Sequence, residues 1–266
     1  MKRNKALLFC CAVLLVAGML AGCASAADKP LAGKHFKLAM NATFAPFESV
    51  SIKSDGKSEI VGFDVDLLDA MAADLGFTYE IKDMEFKGLI GELHSGRADF
   101  VISGLSPTEE RKKTVDFSID YFFVKTAIIE KKGAGLKTVA DLKGKKVAAV
   151  FGTEYNNLAK ASGAEVTALD SSPLVMQELM NGRVQAAIMD ASQAALKCKE
   201  NASLEFFVIP KKDLLSGVSG SFAMAFQKGS PLVPLFDREI EKLRADGTMK
   251  KLTVKWIGEE FLGDEK

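Results

Sequence analysis

Polar and apolar positions change period repeatedly along this chain. After an apolar N-terminal run, Ala6 to Leu20, short apolar stretches alternate with segments whose apolar residues recur every three or four positions. HFKLAM predicts a strand. DVDLLDAMAADLG carries helical spacing, with Asp64 as a candidate cap and Gly76 as the stop. FTYEI reads as a strand, FKGLIGELHSG as a helix ending at Gly96, and ADFVIS as a strand. Beyond Lys125, VADLKG predicts a short helix, KKVAAVF a strand, EYNNLAKASG and PLVMQELMNG helices, and VQAAIMD a strand. FDREIEKLRADG and TMKKLTVKWIG close the chain as helices. The alternation predicts an α/β chain with mostly parallel strands.

The pattern also repeats itself. ELHSGRADFVISG, residues 92–104, aligns with ELMNGRVQAAIMD, residues 178–190, at about five identities in thirteen. Each copy reads as a helix end, a glycine stop, an arginine, a buried strand and a polar or glycine position at the strand's carboxyl end. Helix–Gly–strand is a common unit, so coincidence is one explanation. Two lobes of related topology are the other. In that case Gly104 and Asp190 occupy equivalent strand ends, where open α/β sheets bind ligands.

The N-terminus removes itself from the fold. Lys2, Arg3 and Lys5 precede the apolar run, which is too short and wrongly flanked for an ordinary membrane span and reads as a secretory signal over residues 1–22. Leu20-Ala21-Gly22-Cys23 matches a bacterial lipobox. Cys23 is therefore the expected lipidation site, with residues 23–33 as a tether; plain cleavage near Ala24-Ser25-Ala26 is the alternative. Cys10 and Cys11 leave with the signal, so Cys198 has no partner and no disulfide framework is expected. The full chain has 35 cations and 35 acids; losing three cations leaves the mature part at −3. That balance gives no reason to expect nucleic acid or an anionic membrane face as partner. Two isolated histidines make no metal cluster, and GKK at 144–146 lacks the upstream glycine of a phosphate loop. No cofactor or metal is expected.

The loops carry the chemistry. SGLSPTEERKK, residues 103–113, places Ser103, Gly104, Ser106 and Arg111 after a buried strand. A free α-amino acid demands a planar cation and N–H donors for its carboxylate, and a carboxylate and acceptor oxygens for its ammonium. Arg111 offers the fork. Pro107-Thr108-Glu109-Glu110 looks like a helix start, and Gly152-Thr153-Glu154 repeats the device. Asp190 matches the ammonium; Ser103 and the Gly104 carbonyl add acceptors. Each has a plainer reading. Arg111 with Lys112 and Lys113 also fits a solvated helix face, Thr153 and Asp190 fit simple helix caps, and Phe44 and Phe86 fit core packing as well as an aromatic clamp.

The segments TFAPFE, VGFDVDLLDAMAADLG, FKGLIGELHSGRADFVISGLSPTEERKKTVDFS, DLKGKKVAAVFGTEY, NGRVQAAIMD and LRADGTMKKLTVKWIG together resemble the bacterial extracytoplasmic solute-binding proteins for polar amino acids, family 3, which serve ABC importers. The resemblance runs from about residue 36 to 258. It implies the type II periplasmic-binding-protein fold, two α/β lobes joined by crossover strands near Phe122–Ala127 and Ser216–Phe222 and closing like a hinge. The first lobe would take residues 34–124 and 219–266, the second 125–218. By position, it implies that Arg111, Ser106 and the Thr153–Glu154 backbone hold the ligand carboxylate, Ser103, Gly104 and Asp190 its ammonium, and Phe44 and Phe86 its side chain. Members taking cationic ligands often carry an acid where Asn41 stands, and glutamine-binding members a lysine and a histidine where Val150 and Met189 stand. A neutral amino acid is therefore the expected ligand. The expected partner is an ABC permease, with a monomer held outside the cytoplasm by lipid alone and no catalysis. The alternatives are an enzyme resembling cyclohexadienyl or arogenate dehydratases, and a sensor for a chemoreceptor or kinase.

Overall fold

The computed structural model describes residues 29–214 and 219–262. The signal segment, Cys23 and most of the tether lie outside the described residues, as do 216–218 of the second expected crossover.

The first half runs β1 (His35–Met40), β2 (Thr43–Phe44), β3 (Glu48–Ile52), β4 (Ser58–Val61), α1 (Phe63–Leu75), β5 (Thr78–Asp83), α2 (Leu89–His94), β6 (Phe100–Val101), α3 (Glu109–Lys112) and β7 (Val115–Phe117). After β8 (Phe122–Phe123) the chain enters β9 (Thr126–Lys131), β10 (Lys146–Val150), α4 (Glu154–Ala161), β11 (Glu165–Leu169), α5 (Ser172–Met180), β12 (Ala186–Asp190), α6 (Ala191–Glu200) and β13 (Leu204–Val208). It returns through β14 (Ser221–Phe222) to β15 (Ala225–Gln227), α7 (Val233–Ala245) and α8 (Thr248–Trp256).

Two five-stranded sheets result, ordered β5-β1-β6-β15-β7 and β11-β10-β12-β9-β13. In each, three strands pair in parallel and the other two join antiparallel. The strands of the internal repeat, β6 and β12, hold the same central place in the two orders. Gly96 and Gly182 end the preceding helices with φ of 73° and 71°, a left-handed turn that glycine adopts without strain. The repeat is thus topological.

Helix α1 shows how sequence sets the site. Phe63, Leu67, Leu68, Met71 and Leu75 form one buried face, each fully buried leucine or methionine worth about 1.5–3 kcal/mol. Asp64, expected as a cap, is not one. The amides of Phe63 and Asp64 donate instead to the carbonyls of Pro46 (3.1 Å) and Phe47 (3.0 Å), so the helix start is satisfied by backbone. The Asp64 side chain is left to turn inward. The hairpin β2–β3–β4 was not marked by the pattern. Its apolar residues Val50 and Ile52 are 50% and 69% exposed, so the alternation of β3 points its apolar side to solvent.

Candidate functional site

Between the two sheets lies a cavity in which the centre of a water molecule can range over about 40 Å³. Its wall comes from the carboxyl ends of strands in both halves. Asn41, Phe44, Phe86, Gly104, Ser106 and Arg111 line it from the first half, Thr153 and Glu154 from the second. Ser103 and Asp190 do not line it; they lie directly behind residues that do.

Arg111 stands at the junction of the halves. Its Nη1 donates to the Ser106 carbonyl (2.8 Å) and Nη2 to the Gly152 carbonyl (2.9 Å). The guanidinium carbon lies 5.4 Å from the centre of the Phe86 ring, within reach of its negative face. Burial lowers the arginine's pKa, opposed by the charges of Glu154 and Glu110, yet a guanidinium stays charged throughout the physiological range. It is no solvated helix face. The Thr108 hydroxyl accepts from Arg111 N, capping a helix of only four residues.

Thr153 caps its helix and also lines the cavity. Its hydroxyl accepts from Asn156 N (3.2 Å), capping α4, and donates to the Val150 carbonyl (2.7 Å), while the residue still faces the cavity. Glu154 turns to the returning chain: its carboxylate accepts from Ser219 N (3.2 Å) and Ser219 Oγ (3.3 Å). Phe44 likewise packs within its own half and lines the cavity. It stacks on Phe47 at 4.9 Å and meets Phe222 edge-on, and its other surroundings include the cavity. Gly104 has φ of +52°, and a Cβ there would sit 2.5 Å from Phe44 Cε1. Only glycine lets the ring approach so closely.

Asp190 is buried and caps α6. Its Oδ1 accepts from Ser192 N (2.8 Å), Gln193 N (3.2 Å) and Ser192 Oγ. Burial nevertheless raises its pKa to about 6, the capping bonds only partly opposing this. Between the unfolded value near 3.8 and about 6 the folded protein holds the extra proton, so Asp190 subtracts stability as pH rises through that window. Asp190→Asn, which keeps a capping oxygen, is expected to remove on the order of 3 kcal/mol of this loss above pH 6. Urea midpoints of both proteins at pH 4 and pH 7 check it: the variant should gain on the wild type only at the higher pH.

The cavity also takes residues outside the predicted set. Val150, Val175, Ile188 and Met189 supply apolar wall, and Ser172, Gln193 and Tyr155 polar edges. Ser172 opens α5 after β11, and Gln193 lies in the first turn of α6 after β12; position behind a strand end was the available signal for both. Gln193 Nε2 donates across the gap to the Ala45 carbonyl (3.3 Å), and Lys87 Nζ crosses to Asp170 (2.9 Å). The Tyr155 hydroxyl is shut from solvent without a partner in the described residues, and burial raises its pKa, helped by the charges of Asp190 and Glu154.

The model of the bacterial extracellular solute-binding proteins, family 3, matches residues 36–259. The chain belongs to that family. It is 36% identical over 244 residues to the arginine-binding extracellular protein ArtP of Bacillus subtilis, covering 90% of this chain and 92% of that protein. With the L-cystine-binding protein TcyJ of Escherichia coli it shares 33% identity over 266 residues, 96% of each. A crystal structure of an ancestral arginine-binding protein bound to glutamine superposes with a TM-score of 0.74 at 37% identity, over 85% of this chain and 98% of that one. The two-lobed α/β architecture is that of this solute-binding family. Its relatives thus differ in the charge of what they hold, which makes the cavity's own electrostatics decisive.

Proposed function

We propose that this chain is the extracytoplasmic substrate-binding component of an amino-acid ABC importer, holding one free L-α-amino acid of neutral side chain between its halves. The observation that carries the reading is Arg111: a half-buried guanidinium over an aromatic ring, at the edge of an enclosed cavity that both halves wall. A bidentate cation with helix N-termini nearby suits the α-carboxylate. Asp190, one step behind Met189 in the wall and with no cationic side chain bonded to it among the described residues, is the acid assigned to the ammonium. Contacts from both halves are complete only when the cleft is shut, so ligand favours the closed form, which a membrane permease would then receive. Lipid attachment at Cys23 would keep the monomer beside that permease.

The neutral side chain rests on what the wall lacks. Its aliphatic part is Val150, Val175, Ile188 and Met189, and its one acid among the described residues, Glu154, is bonded to Ser219 and has its charge engaged by Arg111. A lysine or arginine tip would lose its hydration without a free carboxylate to meet it. The unpartnered Tyr155 hydroxyl favours a polar tip among neutral ones. Calorimetry of the delipidated protein against a panel of amino acids tests this: a neutral member is expected to bind at least roughly 100-fold more tightly than arginine or lysine. Equal or tighter binding of the cationic pair would overturn the specificity, and no binding by any amino acid would overturn the function.

A further inference from the structure

Behind the Ser103–Gly104 corner two carboxyl groups, Glu48 and Asp64, are completely buried. Neither has a cationic side chain among its bonding partners in the described residues. Glu48 Oε1 accepts from Ser103 Oγ at 2.7 Å, and Asp64 Oδ2 accepts from Gly104 N at 2.9 Å and from the Tyr121 hydroxyl at 2.8 Å. One oxygen of each, Glu48 Oε2 and Asp64 Oδ1, is shut from solvent with no such partner. Without a cation beside them, two interacting buried carboxyls do not both ionise near neutrality, and one shared proton would serve the orphan oxygens.

The pair abuts the binding wall in two places. Ser103 Oγ, which donates to Glu48, accepts from Asn41 N at 2.9 Å, and Asn41 and Gly104 both line the cavity. The other titratable groups facing the pair are Tyr121 and, more distantly, Asp83, whose Oδ1 is held by Ala42 N. All are acids.

We propose that Glu48 and Asp64 share a single proton beneath the Ser103–Gly104 corner, and that a ligand ammonium at that corner drives the proton out. This rests on the amino-acid reading above. The pair is a positioning element that sets the charge under the ammonium site without touching the ligand. Burial raises both carboxyls, Asp64 to about 7 and Glu48 well above its ordinary range, so the proton is held near neutrality. A nearby cation favours the fully ionised pair, so affinity should rise with pH as ligand binding releases the proton. If the ligand lowers the pair's pKa by one unit, affinity gains about tenfold across that range.

The test has a ligand-free arm and a ligand arm. Infrared spectra of the unliganded protein at pH 7 should show the carbonyl band of a buried protonated carboxyl, absent in Glu48→Gln, whose amide mimics the protonated partner. Calorimetry of the best amino acid in buffers of different ionisation enthalpy should show proton release near pH 7 in the wild type. Glu48→Gln should bind with that release abolished. Should Glu48→Gln not fold, carboxyl-13C labelling of glutamate in one sample and of aspartate in another supplies the infrared comparison: the band must shift with one of these labels, and a band that moves with neither overturns the proposal. Release contributed by Asp190 is common to the wild type and Glu48→Gln, so only the difference between their proton counts is assigned to the pair. A missing band, or the same proton count in wild type and Glu48→Gln, overturns the proposal. An intact band with no binding by any amino acid refutes the ligand reading and the release with it, but not the shared proton.

Discussion

Arg111→Ala is expected to weaken amino-acid binding by about 10²- to 10³-fold. Truncating one member of a buried, hydrogen-bonded charge pair costs 2–5 kcal/mol or about that factor, largely because the other charge is left unmatched. Here the loss is compounded. The guanidinium ties the Ser106 carbonyl in one half to the Gly152 carbonyl in the other, so the alanine variant loses a cross-gap tie as well as the carboxylate fork. Arg111→Lys keeps the charge but has no planar fork to hold two carbonyls and a carboxylate at once, and should fall between alanine and wild type. Calorimetry with thermal denaturation separates the effects: affinity should collapse while the unliganded melting point moves little. Wild-type affinity in the lysine variant would mean that charge alone, and not the fork, holds the ligand.

The largest expected loss of stability belongs to a different position. Gly62 precedes α1 with φ of +147°, and a Cβ there would fall 2.0 Å from the Phe47 carbonyl oxygen and 2.5 Å from its carbon. Those are backbone atoms, and that same carbonyl accepts from Asp64 N. No rotamer change can make room. Gly62→Ala is therefore expected to cost on the order of 4 kcal/mol or more, read as a fall in the urea midpoint. Gly133→Ala is the control. Its φ of +86° is equally unfavourable for a side chain, but nothing lies within 4 Å of the added carbon, so the cost should stay near the backbone penalty of roughly 1–2 kcal/mol. If the two variants matched, strain at the dihedral and not the collision would be the cause.

The cavity-lining layer was legible because its chemistry is local: Arg111 four residues after Pro107, Thr153 and Glu154 after an apolar strand, Gly104 at the end of a repeated strand whose counterpart, Asp190, stands one step behind the wall. The second layer was not. Glu48 and Asp64 stand sixteen positions apart in segments that suggest a loop and a helix cap, and only folding brings both behind Gly104. The cap expectation for Asp64 failed because carbonyls of the preceding hairpin took the helix amides, which periodicity cannot reveal. That hairpin was invisible for a related reason, since its apolar residues face water. Phe44, Thr153 and Asp190 show that competing readings need not exclude one another: each satisfies a structural demand of its own half and stands at or just behind the cavity.

The segments that carry the chain from one sheet to the other and back are not independent leads. Phe122–Phe123 runs antiparallel against Ser221–Phe222, and the Phe47 ring packs edge-on against both Phe122 and Phe222. Two threads laddered together and pinned by one ring make a single connection, the natural axle for the closing motion proposed above. On the proposed reading the halves would swing about that line, because sliding them past each other would break the ladder. A ligand held as proposed would then enter and leave by the rim farthest from the axle, and lengthening one thread alone would throw the whole swing out of true.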